Sequence, residues 1–82
     1  MSVANNIKKE IITHYKGVSV ELMRISGNYL MMKVYAPMYK YPFMAKRILD
    51  KYKEIRTVHF TGAWLESVYT RETLRRVGYK MK

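Results

Sequence analysis

The stretch Met23-Arg-Ile-Ser-Gly-Asn-Tyr-Leu-Met-Met-Lys-Val-Tyr-Ala36 decides the fold, because two β-forming runs flank a hairpin turn within it. Pairing across the central Gly-Asn turn sets Ile25 opposite Leu30 and Met23 opposite Met32. These side chains lie on one face of the hairpin and are apolar, so we expect that face to be buried.

The run before this stretch, residues 18–22, alternates apolar and polar side chains but is out of phase with the buried face. We therefore predict a β-bulge near Leu22-Met23, since one extra residue restores the phase. The side chains expected together on the opposite face are Arg24, Met31, Lys33 and Tyr35.

Two segments have helical periodicity. Residues 4–16 predict an amphipathic helix that Gly17 ends, and a second helix is predicted to open at Pro42. Residues 37–42 are predicted to be a loop, because the prolines at both ends remove backbone donors. The inner stripe predicted for the second helix is Met44, Ala45, Ile48, Leu49, Tyr52 and Ile55.

The last third of the chain begins with a predicted strand at residues 57–61. Residues 63–69 are left open between helix and strand, with strand favoured. Thr70 is predicted to be the N-cap of a last short helix that runs through Val77. Residues 79–82 are predicted to form a basic C-terminal tail.

These elements predict one α+β domain over residues 1–82, in the order α-β-β-α-β-(β)-α. We expect an antiparallel sheet of three or four strands, with two or three helices mainly on one face. The chain has no Cys and no apolar run of membrane-spanning length, which favours a cytoplasmic protein without a membrane partner. Self-association is left open, because so small a domain is marginally stable alone.

Charge is the most informative property of the composition. Sixteen Lys and Arg against six Asp and Glu give a net charge of +10. Residues 33–56 carry seven basic and two acidic groups, and residues 70–82 carry five and one. Two blocks this basic predict a polyanion as partner, either RNA or single-stranded DNA.

Groups suited to catalysis are few, so we expect no enzyme, no cofactor and no metal. Asp50 is the only Asp and lies among basic residues, and His14 follows Glu10 at helical surface spacing. His59 and Glu66 would share one side of a hairpin, which could orient a base but is more typical of a solvated pair.

Three clusters combine cations with aromatic rings, as sites for single-stranded nucleic acids do. One lies on the outer hairpin face, one in the loop with the following helix, and one at the C-terminus. The predicted nucleic-acid-binding residues are Arg24, Lys33, Tyr35, Tyr39, Lys40, Tyr41, Lys46, Arg47, Arg71, Arg75, Arg76, Tyr79 and Lys80.

In size, basic charge and stretches such as Tyr52-Lys-Glu-Ile-Arg56 and Arg71-Glu-Thr-Leu-Arg-Arg76, the chain resembles the small accessory proteins of T4-like tailed phages. The resemblance implies a protein of the host cytoplasm that binds RNA or DNA, or one that disarms a host factor. The alternative to nucleic-acid binding is therefore an inhibitor that covers an acidic surface of a host enzyme, such as a toxin or nuclease.

Overall fold

The computed structural model describes residues 2–62 and 66–82. Within them the α+β class and the predicted order of elements are confirmed. The elements are α1 (Val3–His14), β1 (Ser19–Ser26), β2 (Tyr29–Tyr35), α2 (Lys40–Lys51), β3 (Thr57–Thr61), β4 (Glu66–Thr70) and α3 (Arg71–Arg76). The segment left open between helix and strand thus contributes a strand from Glu66, and its residues 63–65 lie outside the described residues.

The four strands form one sheet in the order β1-β2-β3-β4. The two outer pairs are antiparallel, whereas β2 and β3 are parallel, so the expected antiparallel sheet is in fact mixed. The reason is α2, which carries the chain back across the sheet and allows β3 to start beside the start of β2. The carbonyl of Asn28 fixes this start by accepting from the backbone N–H groups of Arg56 and Thr57 at 2.9 and 3.2 Å.

The hairpin register is confirmed, since Ile25 pairs with Leu30 and Met23 with Met32. Gly27 has a φ of +61°, which glycine adopts without strain at the first central position of a tight hairpin turn.

A register shift between Val20 and Leu22 places the bulge at Glu21, about one residue before the predicted site. The bulge returns Val20 to the inner face opposite Val34. Leu22 stays on the outer face, paired with Lys33.

The core lies between the inner face of the sheet and the helices. Its fully buried strand residues include Leu30, Met32, Val34, Val58 and Phe60. The helices contribute Ile7, Ile11, Met44, Ala45, Ile48, Leu49 and Leu74.

The start of α2 corrects the prediction of a loop over residues 37–42. The helix begins at Lys40, and Pro42 lies in its first turn, where backbone N–H groups have no acceptor inside the helix. Tyr41 is consequently buried, with 4% of its surface exposed, and its hydroxyl donates to the carbonyl of Val34 at 2.9 Å. The ring packs on Phe60 with centroids 5.3 Å apart.

Two contacts attach the C-terminal part of the chain to α2. The Arg71 guanidinium donates through Nη2 to the carbonyls of Leu49 and Tyr52, at 2.6 and 3.2 Å, and so satisfies acceptors at the end of that helix. The backbone N–H of Lys82 donates to Asp50 Oδ1 at 2.9 Å. The segment predicted as a basic tail therefore lies against α2.

Because Arg71 caps α2, we expect Arg71→Ala to lower the free energy of unfolding by about 1.5–3 kcal/mol, the usual range for hydrogen bonds to a charged group. Urea denaturation measures this change. Arg75→Ala is the matched control, because Arg75 is exposed on the same helix and should leave the unfolding midpoint unchanged. Equal midpoints for both variants would contradict the capping role.

Candidate nucleic-acid interface

Charge is divided unequally between the two layers of the molecule. The four strands carry two basic residues, Arg24 and Lys33, and two acidic residues, Glu21 and Glu66. The other fourteen basic and four acidic residues lie in the helices and in the segments that join the elements. The entire net charge of +10 therefore belongs to the helices and connections, which we call the helical layer.

Among the described residues, most Lys and Arg side chains of the protein have no carboxylate partner. Among the described residues only Lys33, Lys46, Arg47 and Lys51 form ion pairs, although the chain has sixteen Lys and Arg. The side chains left without an acidic partner there include Lys8, Lys9, Arg75, Arg76 and Lys80, which are all exposed. Such cations are available to phosphates.

A groove of about 580 Å³ runs between α1, α2 and the C-terminal segment. Four cations and two carboxylates line it, with aromatic rings beside them. The lining residues are Glu10, Tyr15, Phe43, Lys46, Arg47, Asp50, Lys51 and Lys82.

Two carboxylates hold the cations of this groove in place. Glu10 accepts from Arg47 Nη1 at 3.2 Å and from Lys51 Nζ at 2.9 Å, which joins α1 to α2. Asp50 Oδ2 accepts from Lys46 Nζ at 2.6 Å. The groove keeps an excess of positive charge, and Arg47 retains N–H donors that these contacts do not use.

The same contacts change the acidity of both carboxyl groups. The hydrogen bond from Lys51 lowers the pKa of Glu10, with Arg47 and His14 contributing in the same direction. Burial would raise the pKa of Asp50, but the hydrogen bonds from Lys46 and from the backbone of Lys82 outweigh it and lower that pKa.

Phe43 offers an aromatic surface beside these cations. Its side chain is 49% exposed, and its ring meets that of Tyr79 edge to face with centroids 5.7 Å apart. On α2 it lies three residues before Lys46 and four before Arg47, so all three share the outer side of the helix. A base stacked on this ring would have its phosphates near cations.

The groove includes residues outside the predicted set of nucleic-acid-binding residues, among them Tyr15, Phe43, Lys51 and Lys82. For Phe43 a signal was present, because a large aromatic residue falls among Lys and Arg on the polar side of an amphipathic helix. Tyr15 could not be found in this way, because its hydroxyl reaches Phe43 and Arg47 only through the packing of α1 on α2.

The structure separates the predicted site residues into different locations. Lys46, Arg47 and Tyr79 lie at or beside the groove, and Arg75, Arg76 and Lys80 are exposed on or just after α3. Tyr39 is 67% exposed just before α2, with Lys40 Nζ 5.9 Å from its ring centroid.

Three of the predicted nucleic-acid-binding residues are engaged in contacts inside the fold. Tyr41 is in the core and has no ring surface for a base. Arg71 is committed to the end of α2, and Lys40 Nζ donates to the carbonyl of Lys16 at 2.6 Å. These three side chains stabilise the fold through internal contacts and are not available on the surface of the helical layer.

Arg24, Lys33 and Tyr35 lie on the outer face of the sheet, on the opposite side from the helices. Glu21 neutralises part of this cluster, because its Oε2 accepts from the Tyr35 hydroxyl at 2.8 Å and lies 3.6 Å from Lys33 Nζ. The cluster is therefore separate from the groove and much less positive.

His59 forms the expected contact with Glu66 on this outer face, with Nε2 2.8 Å from Oε1. Its Nδ1 lies 2.8 Å from the hydroxyl of Tyr29. Since a carboxylate only accepts, Nε2 donates to Glu66, and Nδ1 forms the hydrogen bond with the Tyr29 hydroxyl. Both ring nitrogens are thus engaged, which makes the His a fixed part of the sheet surface.

Comparison of the chain with protein-family models, with curated proteins and with solved structures found no match. In the parts of the chain that the structure describes, no group of three or more His, Cys, Asp or Glu side chains is arranged to hold a metal. Over the same residues, no helix has the length and apolar character needed to cross a bilayer.

The lowered pKa of Glu10 predicts an acid-dependent loss of stability. A carboxyl group with a lower pKa in the folded state stabilises the fold above its ordinary value of 4.5, and this contribution is lost as pH falls through the folded value. We expect the melting temperature to fall as pH drops below the ordinary value of 4.5, and Glu10→Gln to be less stable near neutrality with a flatter acid profile.

Glu54→Gln is the control for this measurement, because Glu54 is exposed and forms no ion pair among the described residues. Thermal unfolding at a series of pH values compares the variants. A Glu10→Gln profile as steep as that of the unmodified protein would show that the contacts of Glu10 contribute nothing to the acid response.

Proposed function

We propose that this protein binds single-stranded nucleic acid, RNA or DNA, through its helical layer, without enzymatic activity and with little sequence preference. The observation that carries the proposal is the division of charge, which leaves the strands neutral and gives the helical layer all of the +10. Phosphates are the densest anionic groups that such a surface meets, and their neutralisation releases counterions.

Exposed rings among the cations favour a single strand over a duplex. Phe43 and Tyr39 are 49% and 67% exposed in this layer, and Phe43 lines the groove together with Lys46 and Arg47. Only unpaired bases can be spread out and stacked on such rings, and every base has a face to stack. Low sequence preference follows, because stacking and phosphate contacts do not read base edges.

Two double variants with the same change in net charge test the assignment to the helical layer. Arg75→Ala with Arg76→Ala removes two exposed cations from α3, and Arg24→Ala with Lys33→Ala removes two from the sheet. At about 0.1 M salt we expect the α3 pair to weaken binding by about 25-fold and to reduce the slope of log affinity against log salt by about 1.4.

The double variant Arg24→Ala with Lys33→Ala should change the affinity and the salt slope much less. Fluorescence anisotropy with a mixed-sequence RNA oligomer over a salt series measures them. Equal losses in the two double variants would mean diffuse attraction to the whole protein, and a slope near zero would favour a protein inhibitor of an acidic host surface.

Phe43→Ala tests stacking separately from charge. Loss of one stacked base costs about 1–3 kcal/mol, or about 5- to 150-fold in affinity, and removes no phosphate contact. We therefore expect lower affinity at every salt concentration with an unchanged slope. Val77→Ala, which trims another exposed apolar side chain of the helical layer, should bind as the unmodified protein does.

A further inference from the structure

The outer face of the sheet is a second surface with a different character. We call it the open face, because no helix of the described residues covers it. Leu22 and Val68 are each 53% exposed on it, and Tyr29 and Tyr35 are each 38% exposed. The registers place Leu22 beside Lys33 on the β1 side and Val68 beside His59 on the β4 side. Exposed apolar side chains therefore lie toward both edges of this face.

The charges of the open face are divided between its two halves. The β1–β2 half carries Glu21, Arg24 and Lys33, for a net charge of +1, and the β3–β4 half carries only Glu66, for a net charge of −1. Arg24 is exposed and forms no ion pair among the described residues. Glu66 contacts His59 through Oε1, and its side chain is 72% exposed.

We propose that the open face binds a second copy of this chain, sheet against sheet, to form a dimer with two-fold symmetry. Two molecules that each carry +10 repel one another wherever their helical layers approach. The open face is the surface without net charge, so contact there keeps the two helical layers on opposite outer sides.

Charge complementarity also selects the orientation of the dimer. A two-fold axis parallel to the strands lays β1 of one copy across β4 of the other, which brings a +1 half onto a −1 half. Arg24 then lies across from the partner subunit's Val68, two residues along β4 from the partner subunit's Glu66. An axis perpendicular to the strands would instead lay β4 on the partner subunit's β4 and so bring the two −1 halves together. The strands of the two sheets stay nearly aligned in the first arrangement, as in common sheet packings.

The dimer would have one functional consequence, which rests on the proposed function. Its two helical layers face away from each other, so one dimer offers two separate surfaces to nucleic acid. Such a protein bridges two strands or two segments of one strand, and binding at both surfaces raises the overall affinity.

Sedimentation equilibrium of the purified protein without nucleic acid tests the dimer independently of the proposed function. Arg24→Glu and Lys9→Glu each lower the net charge from +10 to +8, but only the first changes the open face. We expect Arg24→Glu to raise the dimer dissociation constant at least tenfold. Lys9→Glu should leave it unchanged or lower it, because it reduces repulsion between the helical layers.

Reversal of both charges provides the decisive comparison. Arg24→Glu combined with Glu66→Arg should restore dimerisation to within about threefold, since the two halves again have opposite signs. Added salt should strengthen the unmodified dimer by screening repulsion, whereas it weakens nucleic-acid binding. Leu22→Asn, at an exposed position outside the core, should weaken the dimer without a change in melting temperature.

A protein that stays monomeric at hundreds of micromolar and high salt would overturn the proposal, as would equal effects of Arg24→Glu and Lys9→Glu. Bridging is measured by capture of a fluorescent RNA on an immobilised second RNA. A dimer that binds no RNA would refute the proposed function alone, and a monomer that binds RNA would refute this inference alone.

Discussion

The parallel pairing of β2 with β3 is the constraint on which the rest of the molecule depends. Parallel neighbours cannot be joined by a short turn, so the chain must cross the sheet, and α2 is that crossover. With α2 over β3 and β4 on the inner face, α3 packs against α2 and β4, and α1 packs against β1. Every helix of the described residues thereby lies on one side of the sheet.

Two carboxylates help so basic a chain to fold. Glu10 and Asp50 are placed where cations would otherwise repel each other, and each bridges more than one positive or donor group. The carboxylate of Glu10 connects two helices, while that of Asp50 connects α2 with the end of the chain. Repulsion among the outer cations remains, and a polyanion that neutralises them would stabilise the folded state.

The local features of the fold could be predicted from the sequence, because neighbouring residues determine them. The pairing of Ile25 with Leu30, the bulge near Leu22 and the Thr70 cap all follow from turn residues, strand periodicity and capping chemistry. The parallel pair could not be predicted, because it depends on where α2 packs. The burial of Tyr41 could not be predicted either. Pro42 indicates that a helix starts nearby but can occupy any position of the first turn, so it does not determine which residue begins the helix.

The candidate site could likewise be predicted only in part, because its local features are visible in the sequence and its tertiary contacts are not. Composition indicated a polyanion partner, and the cations near α2 and α3 were recognised from the sequence. Which of them fold the protein and which face solvent depends on tertiary contacts, as Arg71 and Arg75 demonstrate on one short helix. The groove itself forms from α1, α2 and the last residue of the chain, which are far apart in sequence.

The separation of a neutral sheet from a positive helical layer also gives a single copy of the molecule an electric dipole, directed from the sheet toward the helices. In the field of a polyanion this dipole exerts a torque, so the protein turns its helices toward the partner before the surfaces touch. Collisions in the wrong orientation become rarer, and the association rate rises most at low ionic strength. In such an encounter the open sheet of a single copy faces away from the polyanion, where it is accessible to a second copy.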